Sequence, residues 1–599
     1  MRGGMGDGER THERAKRGES AAAVTESAAP AKTHGIRQCG VSLIAPAVLS
    51  CLVLSLPHMC CRQRSTPAAW QVPAFDSPIQ RPFVTVSNRE QHHGIPAHAR
   101  PGANPSSVAT SLLRNDCLLC HLVWQYRLFL LAGIPRFLRS VVANRFLNPG
   151  TNWSLLSLAE LKDQMDVDDF IRLEDFADYR KDVSDMEWMT FLHLFQLHWH
   201  WIICYLIMST CCRGTVRLLL FTIFSSAFVF TVLNFKSLLI LLLNACLSVL
   251  VTNTRVKFLA YLMFFSLIGF SISPIGMFLK RLLFHDSESR ILLFDVCFTW
   301  LNAKSLSLSV DTIESGKRIS RSDLPLILSY LFYFPSLFSG PVHLFDSFKG
   351  DIRSDARIGV KSFLMACLQL LKILFYALLL EQLLHVIHSK AMQFYPHLTD
   401  QLDEWTFCGV GYSLTCLFYL KYLVLYGFSQ SLAAFDSVNL PDGPACVSRV
   451  CESRMLWRTF DRGLYQWLTA YFYRPLLGPH ASSTVWQLVA SAVSFACVCL
   501  WHRLDLNVIV WCGINFVSVA VEKYCHSLRL PIRIKCLLFA PLFALMVISN
   551  IFFLSNFEVG LQFLRRVFTH VPVPFLPVMI VMYAGCRVSF SLSPSVINK

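Results

Sequence analysis

Apolar runs of membrane-spanning length follow one another from Trp188 to the end of the chain, separated by short polar or basic connections. They fall at about 188–209, 216–235, 237–252, 256–278, 291–310, 324–345, 358–388, 405–428, 484–501, 506–521, 533–555 and 570–591. An α-helix needs about 20 residues to cross about 30 Å of hydrocarbon. The pattern therefore predicts an all-α, polytopic transmembrane helical bundle of about 10–12 spans with re-entrant segments. Two runs, 237–252 and 506–521, are short. The run 324–345 contains Pro335, Gly340 and Pro341. Non-helical backbone at membrane depth survives only where protein or water covers it, so this run is expected to be broken or re-entrant.

The pattern upstream is different. Residues 117–142 are apolar but carry His121, Arg127, Arg136 and Arg139, which suits an amphipathic or first membrane helix at the interface. Residues 143–187 are polar and acidic, with Leu155, Leu158 and Leu161 at helical spacing. They are expected to form an extramembrane segment with short helices. Residues 1–115 are rich in Ala, Gly, Pro, Ser, Arg and His and read as a disordered basic tail, which leaves 116–599 as the transmembrane domain. One apolar stretch, 42–57, interrupts the tail. It is short for a span and too far from Met1 for an ordinary secretory signal, so it reads either as a weak membrane segment or as sequence foreign to the rest.

Composition sharpens this picture. Hydrophobic residues make up 54% of the 599 and charged residues 16%, against about 25% charged in a soluble domain. The net charge of +15 does not point to nucleic acid. Lys and Arg sit in short clusters between apolar runs, such as Arg255 with Lys257 and Lys317-Arg318 with Arg321, where they anchor a membrane protein at the interface. The clusters recur too evenly to assign sidedness. Most of the 22 cysteines, among them Cys204, Cys297 and Cys497, lie inside apolar runs and read as small hydrophobes. Cys117 and Cys120 form a lone CxxC with no second pair at zinc spacing. No internal repeat is evident, which counts against the common transporter folds.

Ionisable residues inside apolar segments are costly and are functional candidates by default. His193, His198 and His200 read as interfacial histidines among tryptophans, with a metal site as the alternative. Asp295 and Lys304 either face a tunnel or pair with each other. The most informative stretch is 441–524. His502 closes the apolar run 484–501 and is either interfacial or catalytic. Asp461 lies between Arg458 and Arg462, as an Arg-paired structural carboxylate or as a catalytic one.

Several motifs in this region belong together. The stretch WRTFDRGLY at 457–465 precedes by about forty residues a helix ending in Trp501-His502. With SYLFYFPSLFSGPVHLFDSF at 329–348, FYLKYLVLYG at 418–427, CVS at 446–448, DVSDMEW at 182–188 and ISNIFFLSNFEVG at 548–560, it resembles the membrane-bound O-acyltransferase family, in its hedgehog acyltransferase branch. The resemblance runs from about Cys117 to the C-terminus. One departure stands out: the family usually has W-H-G, and this chain has Trp501-His502-Arg503.

The resemblance implies a helical cup with a tunnel through the membrane, in the endoplasmic reticulum or alternatively the Golgi. It implies a protein N-palmitoyltransferase that moves palmitate from palmitoyl-CoA to the N-terminal cysteine of a secreted signalling protein, hedgehog-like or EGF-like. The implied site is His502 and Asp461 as catalytic residues, with Trp457, Trp501 and Asn550 lining the substrate tunnel. An imidazole suits general-base work because it titrates near neutrality. Cys446 stands where the branch has a cysteine associated with haem b; the residue alone reads equally as a loop cysteine or an S-palmitoylated one. No metal is expected beyond that haem iron. Alternatives are a catalytically inactive regulator, for which Arg503 is the support, and a lipid O-acyltransferase or transporter.

Overall fold

The computed structural model describes residues 170–173, 176–353, 359–385 and 387–591. The basic tail, the stretch 42–57, the Cys117–Cys120 pair and the segment 117–142 lie outside the described residues.

The described chain opens with an antiparallel hairpin, β1 (Phe170–Leu173) and β2 (Phe176–Asp182). This corrects the expectation of short helices for this part of 143–187. Strand pairing gives the backbone here its hydrogen bonds without the apolar stripe a helix would need.

Helices follow: α1 Met186–Cys211, α2 Gly214–Val232, α3 Phe235–Thr254, α4 Lys257–Ile272, α5 Pro274–Phe284 and α6 Glu288–Glu314. Then come α7 Leu324–Leu331, α8 Phe345–Arg353, α9 Val360–Leu384 and α10 Glu404–Phe435. The last part holds α11 Ser453–Thr459, α12 Arg462–Leu468, α13 Thr484–Trp501, α14 Leu506–Ser527, α15 Ile532–Leu554, α16 Phe557–Thr569 and α17 Phe575–Ser591. Among the described residues, nine helices are long and apolar enough to cross a membrane, and the α4–α5 pair, bent by 66°, makes ten if it is one span. Apart from the hairpin, the described fold is the expected α-helical transmembrane bundle. Leucine, isoleucine and phenylalanine side chains on α2, α3, α4 and α9, such as Ile223, Leu250, Phe258 and Leu371, stay exposed, as a lipid-facing surface requires.

The two short runs are full helices. α3 continues to Thr254 because its polar positions pair with α6: Asn244 with Asn302 (3.0 Å), Ser248 with Ser305 (2.7 Å) and Thr252 with Ser309 (2.8 Å). Small polar residues of this kind let two membrane helices approach closely. α14 continues past Glu522, which is buried and accepts the backbone N–H groups of Ser453 (2.6 Å) and Arg454 (3.0 Å).

The run 324–345 is broken, as expected. α7 ends at Leu331, a 3₁₀ turn spans Phe334–Ser336, and the chain then runs without regular structure to Phe345. Its polar groups find protein partners. Tyr330 donates to the His343 carbonyl (2.6 Å), Tyr333 donates to Asp436 (2.6 Å), and Ser307 accepts the Phe345 N–H (2.8 Å). Gly340 has φ +70°, and a Cβ there would stand 2.7 Å from the Trp300 ring, so only glycine fits.

Taken as spans, the helices alternate in direction, and their ends sort into two faces. The upper face holds the start of α1, the α5–α6 turn, the α9–α10 connection, the α13–α14 turn and the end of α15. The lower face holds the α1–α2, α3–α4 and α14–α15 turns and the two long connections after α6 and α10. Both long connections fold back into the bundle, burying Tyr330, Tyr333, Trp467 and Tyr471.

Candidate functional site

The second long connection builds one wall of the site. α11 and α12 meet at Asp461, the N-cap of α12. Its Oδ1 accepts the Leu464 N–H (2.8 Å) and its Oδ2 accepts the Tyr426 hydroxyl of α10 (2.7 Å). The flanking arginines do not pair with it: Arg462 pairs with Asp442, and Arg458 lies over the Tyr465 ring, 6.0 Å from its centroid. The Arg-paired reading of Asp461 is thereby corrected, because a helix start presents N–H groups that a carboxylate caps at closer range. Burial pushes the Asp461 carboxyl above the usual carboxylate range, against the hydrogen bonds from Leu464 and Tyr426. Gly463 lets this corner approach the broken segment: a Cβ there would stand 2.5 Å from the Val342 carbonyl oxygen.

The opposite wall comes from the end of α13. His502 is its C-cap, and its ring stands edge-on to Trp511 (5.8 Å, 80°) and Phe553 (5.1 Å, 79°). Neither ring nitrogen hydrogen-bonds to another described residue. Trp501 packs against Trp300 (5.3 Å) and Trp467 (6.1 Å). Trp457 donates its indole N–H to Asn515 (3.0 Å), and Trp511 donates to Asn550 (3.2 Å). The two asparagines thus fix two tryptophans that lie 5.1 Å apart.

These residues surround one cavity of about 690 Å³. Its lining includes His502, Asp461, Trp457, Trp501 and Asn550, all five of the residues expected there, although no hydrogen bond joins His502 to Asp461. It reaches the upper ends of the helices, where Lys421 pairs with Asp185 (2.9 Å) and Glu187 (2.7 Å), and where Asp295 joins Lys280 and Arg503. Asp295 does face the cavity, but it pairs with Lys280 and Arg503, not with Lys304, which is buried elsewhere beside Tyr330.

A second cavity of about 450 Å³ lies between α13 and α14. It has Phe495, Val498, Phe516 and Val519 inside and Arg454, Arg458, Lys523 and His526 at the lower ends. The two cavities share Trp457, Tyr465, Leu468 and Val498. They therefore approach one another from opposite faces and meet at Trp457.

Cys446 lines neither cavity. It is half-buried, at the N-cap of the 3₁₀ turn Val447–Arg449. Its neighbour Val447 does line the upper cavity. Among the described residues, no group of three or more His, Cys, Asp or Glu could hold a metal ion, His193, His198 and His200 included. Sequence reading missed Tyr426, Trp511, Asn515, Glu187 and Lys280. Tyr426 and Glu187 lay inside two of the quoted motifs, 418–427 and 182–188, without a role of their own, and Trp511 and Asn515 were visible only as aromatic or polar positions inside an apolar run.

Comparison with known proteins bears on this geometry. Residues 186–557 match the membrane-bound O-acyltransferase family. The mouse protein-cysteine N-palmitoyltransferase HHAT is 27% identical over 307 residues, 47% of this chain and 61% of that protein. The Drosophila melanogaster protein-cysteine N-palmitoyltransferase Rasp is 27% identical over 290 residues, 45% of this chain and 57% of that protein. The membrane-bound O-acyltransferase GUP1 of Candida tropicalis is 22% identical over 189 residues, 31% of each chain. The chain spans about three fifths of the length of the first two.

Proposed function

The chain belongs to the membrane-bound O-acyltransferase family, and from that premise we propose that it is a protein N-palmitoyltransferase of the endoplasmic-reticulum membrane. It moves palmitate from palmitoyl-CoA to the N-terminal cysteine of a secreted, hedgehog-like protein. The observation that carries the reading is the pair of cavities meeting at Trp457, with His502 on the upper one and a basic rim on the lower one.

Charge distribution supports the orientation. Arg213, Arg255, Lys317, Arg318, Arg321, Lys349, Arg454, Arg458, Arg462, Arg474 and Arg529 sit on the lower connections. The upper ones, helix ends included, carry Lys181, Lys236, Lys280, Arg281, Arg290, Lys390, Arg503, Arg565 and Arg566, and the lower side keeps its excess because Lys257, Lys361, Lys523, Arg533 and Lys535 stand at its helix ends. Lys and Arg are in excess in cytoplasmic loops, which makes the lower face cytosolic. The lower cavity then admits the donor: its cationic rim suits the phosphates of coenzyme A, and its apolar interior suits an acyl chain, at about 0.8 kcal/mol per buried methylene. The acceptor arrives at the upper cavity.

The thioester is already activated, so the protein has to position two partners and handle one proton. An α-amino group has a pKa near 7.7–8.0 and is mostly protonated at neutral pH. His502, with both ring nitrogens open to the cavity, takes that proton. The amine nitrogen attacks the thioester carbon, the C–N bond forms and the C–S bond breaks. The coenzyme A thiolate leaves and takes a proton back from the imidazolium, and the acylated nitrogen gives its second proton to the freed imidazole, which passes it to water, so that ammonium and thioester become amide, thiol and one released proton. Asp461, fixed by Leu464 and Tyr426, holds the incoming ammonium. The tryptophans exclude water that would compete for the thioester. Haem has no part in these steps.

The similarity to GUP1 favours a second acceptor class, a lipid hydroxyl. One assay separates the two: purified protein, labelled palmitoyl-CoA, and either a Cys-initiated peptide or a lysolipid. Amide formation on the peptide is expected. Transfer to the lysolipid alone would replace the protein acceptor by a lipid, and no transfer to either would leave a regulatory relative.

A further inference from the structure

Arg503 follows His502 directly and has φ +70°, with Leu504 next at +60°. Two consecutive residues with side chains in the left-handed region are costly. This turn keeps them, and it points an arginine into the mouth of the upper cavity.

We propose that Arg503, oriented by the Asp295–Lys280 pair, forms an anion subsite that selects acceptor peptides with a carboxylate within a few residues of their N-terminal cysteine. The inference rests on the peptide reading of the acceptor given above. Its first support is the ratio of charges. Lys280 Nζ lies 2.6 Å from Asp295 Oδ1 and Arg503 Nη2 lies 2.7 Å from Asp295 Oδ2, so two cations share one carboxylate on this wall.

The second support is hydrogen-bonding capacity. Lys280 is buried and holds Asp295 from below, with Ser271 at 3.4 Å as its other partner. Arg503 has a side chain 48% exposed and commits only Nη2, which leaves Nε and Nη1 to bind a second anion in the plane of the guanidinium. Asp295 thereby orients the guanidinium without using it up.

The third support is the other wall of the same cavity. There three carboxylates, Asp185, Glu187 and Asp461, stand with two lysines, Lys390 and Lys421. The cavity is polarised, with acid in excess on one side and base in excess on the other. A peptide N-terminus followed by an acidic residue has the matching polarity, an ammonium at the nucleophile and a carboxylate further on. A lysophospholipid has the anion but no cation at its nucleophile. An extended peptide advances about 3.3–3.6 Å per residue, and His502 and Arg503 are chain neighbours, so the carboxylate falls at about the second to fourth residue.

The test uses the full chain, palmitoyl-CoA and three Cys-initiated peptides that differ only at the third residue, Glu, Ala or Lys. The expected kcat/KM is roughly tenfold higher for Glu than for Lys, the size of one charge-assisted contact discounted for exposure. Arg503→Glu should reverse the order. Arg503→Gly, which suits the backbone at φ +70°, should flatten it and covers the case in which the glutamate variant does not fold. An unchanged Glu-to-Lys ratio in the variants overturns the subsite, and so does an equal fall on all three peptides, which would make Arg503 a structural anchor of the turn. Acylation of every peptide by the unaltered protein without charge preference removes this inference alone. Transfer to lysophosphatidic acid and to no peptide removes it together with the peptide reading.

Discussion

Asp461 has two jobs in this structure, and a set of substitutions separates them. As the N-cap of Arg462–Leu468 it accepts the Leu464 N–H, and it also accepts the buried Tyr426 hydroxyl. Asp461→Ala loses a cap worth about 1 kcal/mol and strands a buried hydroxyl at about 1–3 kcal/mol. A fold cost of about 2–4 kcal/mol follows. Asp461→Asn keeps an oxygen for the cap, since Asn and Asp cap equally well, and should cost under about 1 kcal/mol. It removes the charge, however, and a hydrogen bond to a charged group is worth about 1.5–3 kcal/mol. The expected fall in kcat/KM is therefore roughly ten- to hundredfold. Tyr426→Phe should fall between, since it leaves the carboxylate and its cap in place. Melting temperature in detergent and amide formation on a Cys-initiated peptide are measured on the same preparations. If Asp461→Asn matches the unaltered protein in turnover while Asp461→Ala loses activity only in step with its melting temperature, Asp461 is a helix cap and nothing more.

The remaining predictions concern its neighbours. His502→Ala should lower turnover by roughly 10²–10⁴-fold while palmitoyl-CoA still binds; near-normal turnover at saturating palmitoyl-CoA would remove the base from the mechanism. Trp457→Phe loses the hydrogen bond to Asn515 at the junction of the two cavities. It should raise coenzyme A release in the absence of acceptor, read with a thiol reagent, and an unchanged rate would show that Trp457 does not exclude water. Glu522→Gln replaces the carboxylate that accepts two backbone N–H groups at the start of α11. It should lower stability by about 1–3 kcal/mol and turnover with it; a variant with normal melting would show that α11 is held by its packing instead.

Much of this was legible in the sequence because a bilayer forces helices to declare themselves as long apolar runs. The boundaries that failed did so for local reasons. The run 506–521 looked short because Glu522 and Lys523 interrupt it, and only the fold shows that Glu522 is satisfied by the backbone of α11. Pro335 and Pro341 correctly announced a broken segment, since neither can donate to a helix. Sidedness could not be read because the basic clusters alternate along the chain; they separate only when the helix directions assign each connection to a face. At the site, His502 and Asp461 were visible as ionisable residues in motifs. The pairing of Asp461 was not, because Tyr426 is 35 residues away on another helix.

A charged residue within a membrane protein is tolerated where it is paired, and the upper cavity follows that rule closely. Lys421 is matched by Asp185 and Glu187, Lys280 and Arg503 by Asp295, and Asp461 by a helix start and a phenol. His502 departs from it. Its ring is held by aromatic edges alone, and the backbone just after it is strained by two left-handed residues. If this imidazole only closed α13, a hydrogen-bond partner or a glycine in the turn would stabilise the site more. Strain and an unbonded imidazole in the same three residues are what the proposed base would leave unrelieved, since a base must keep a nitrogen free for its substrate. Arg503 in place of glycine leaves this arrangement standing: the ion pair to Asp295 ties the turn to α6, and His502 beside it still lines the cavity.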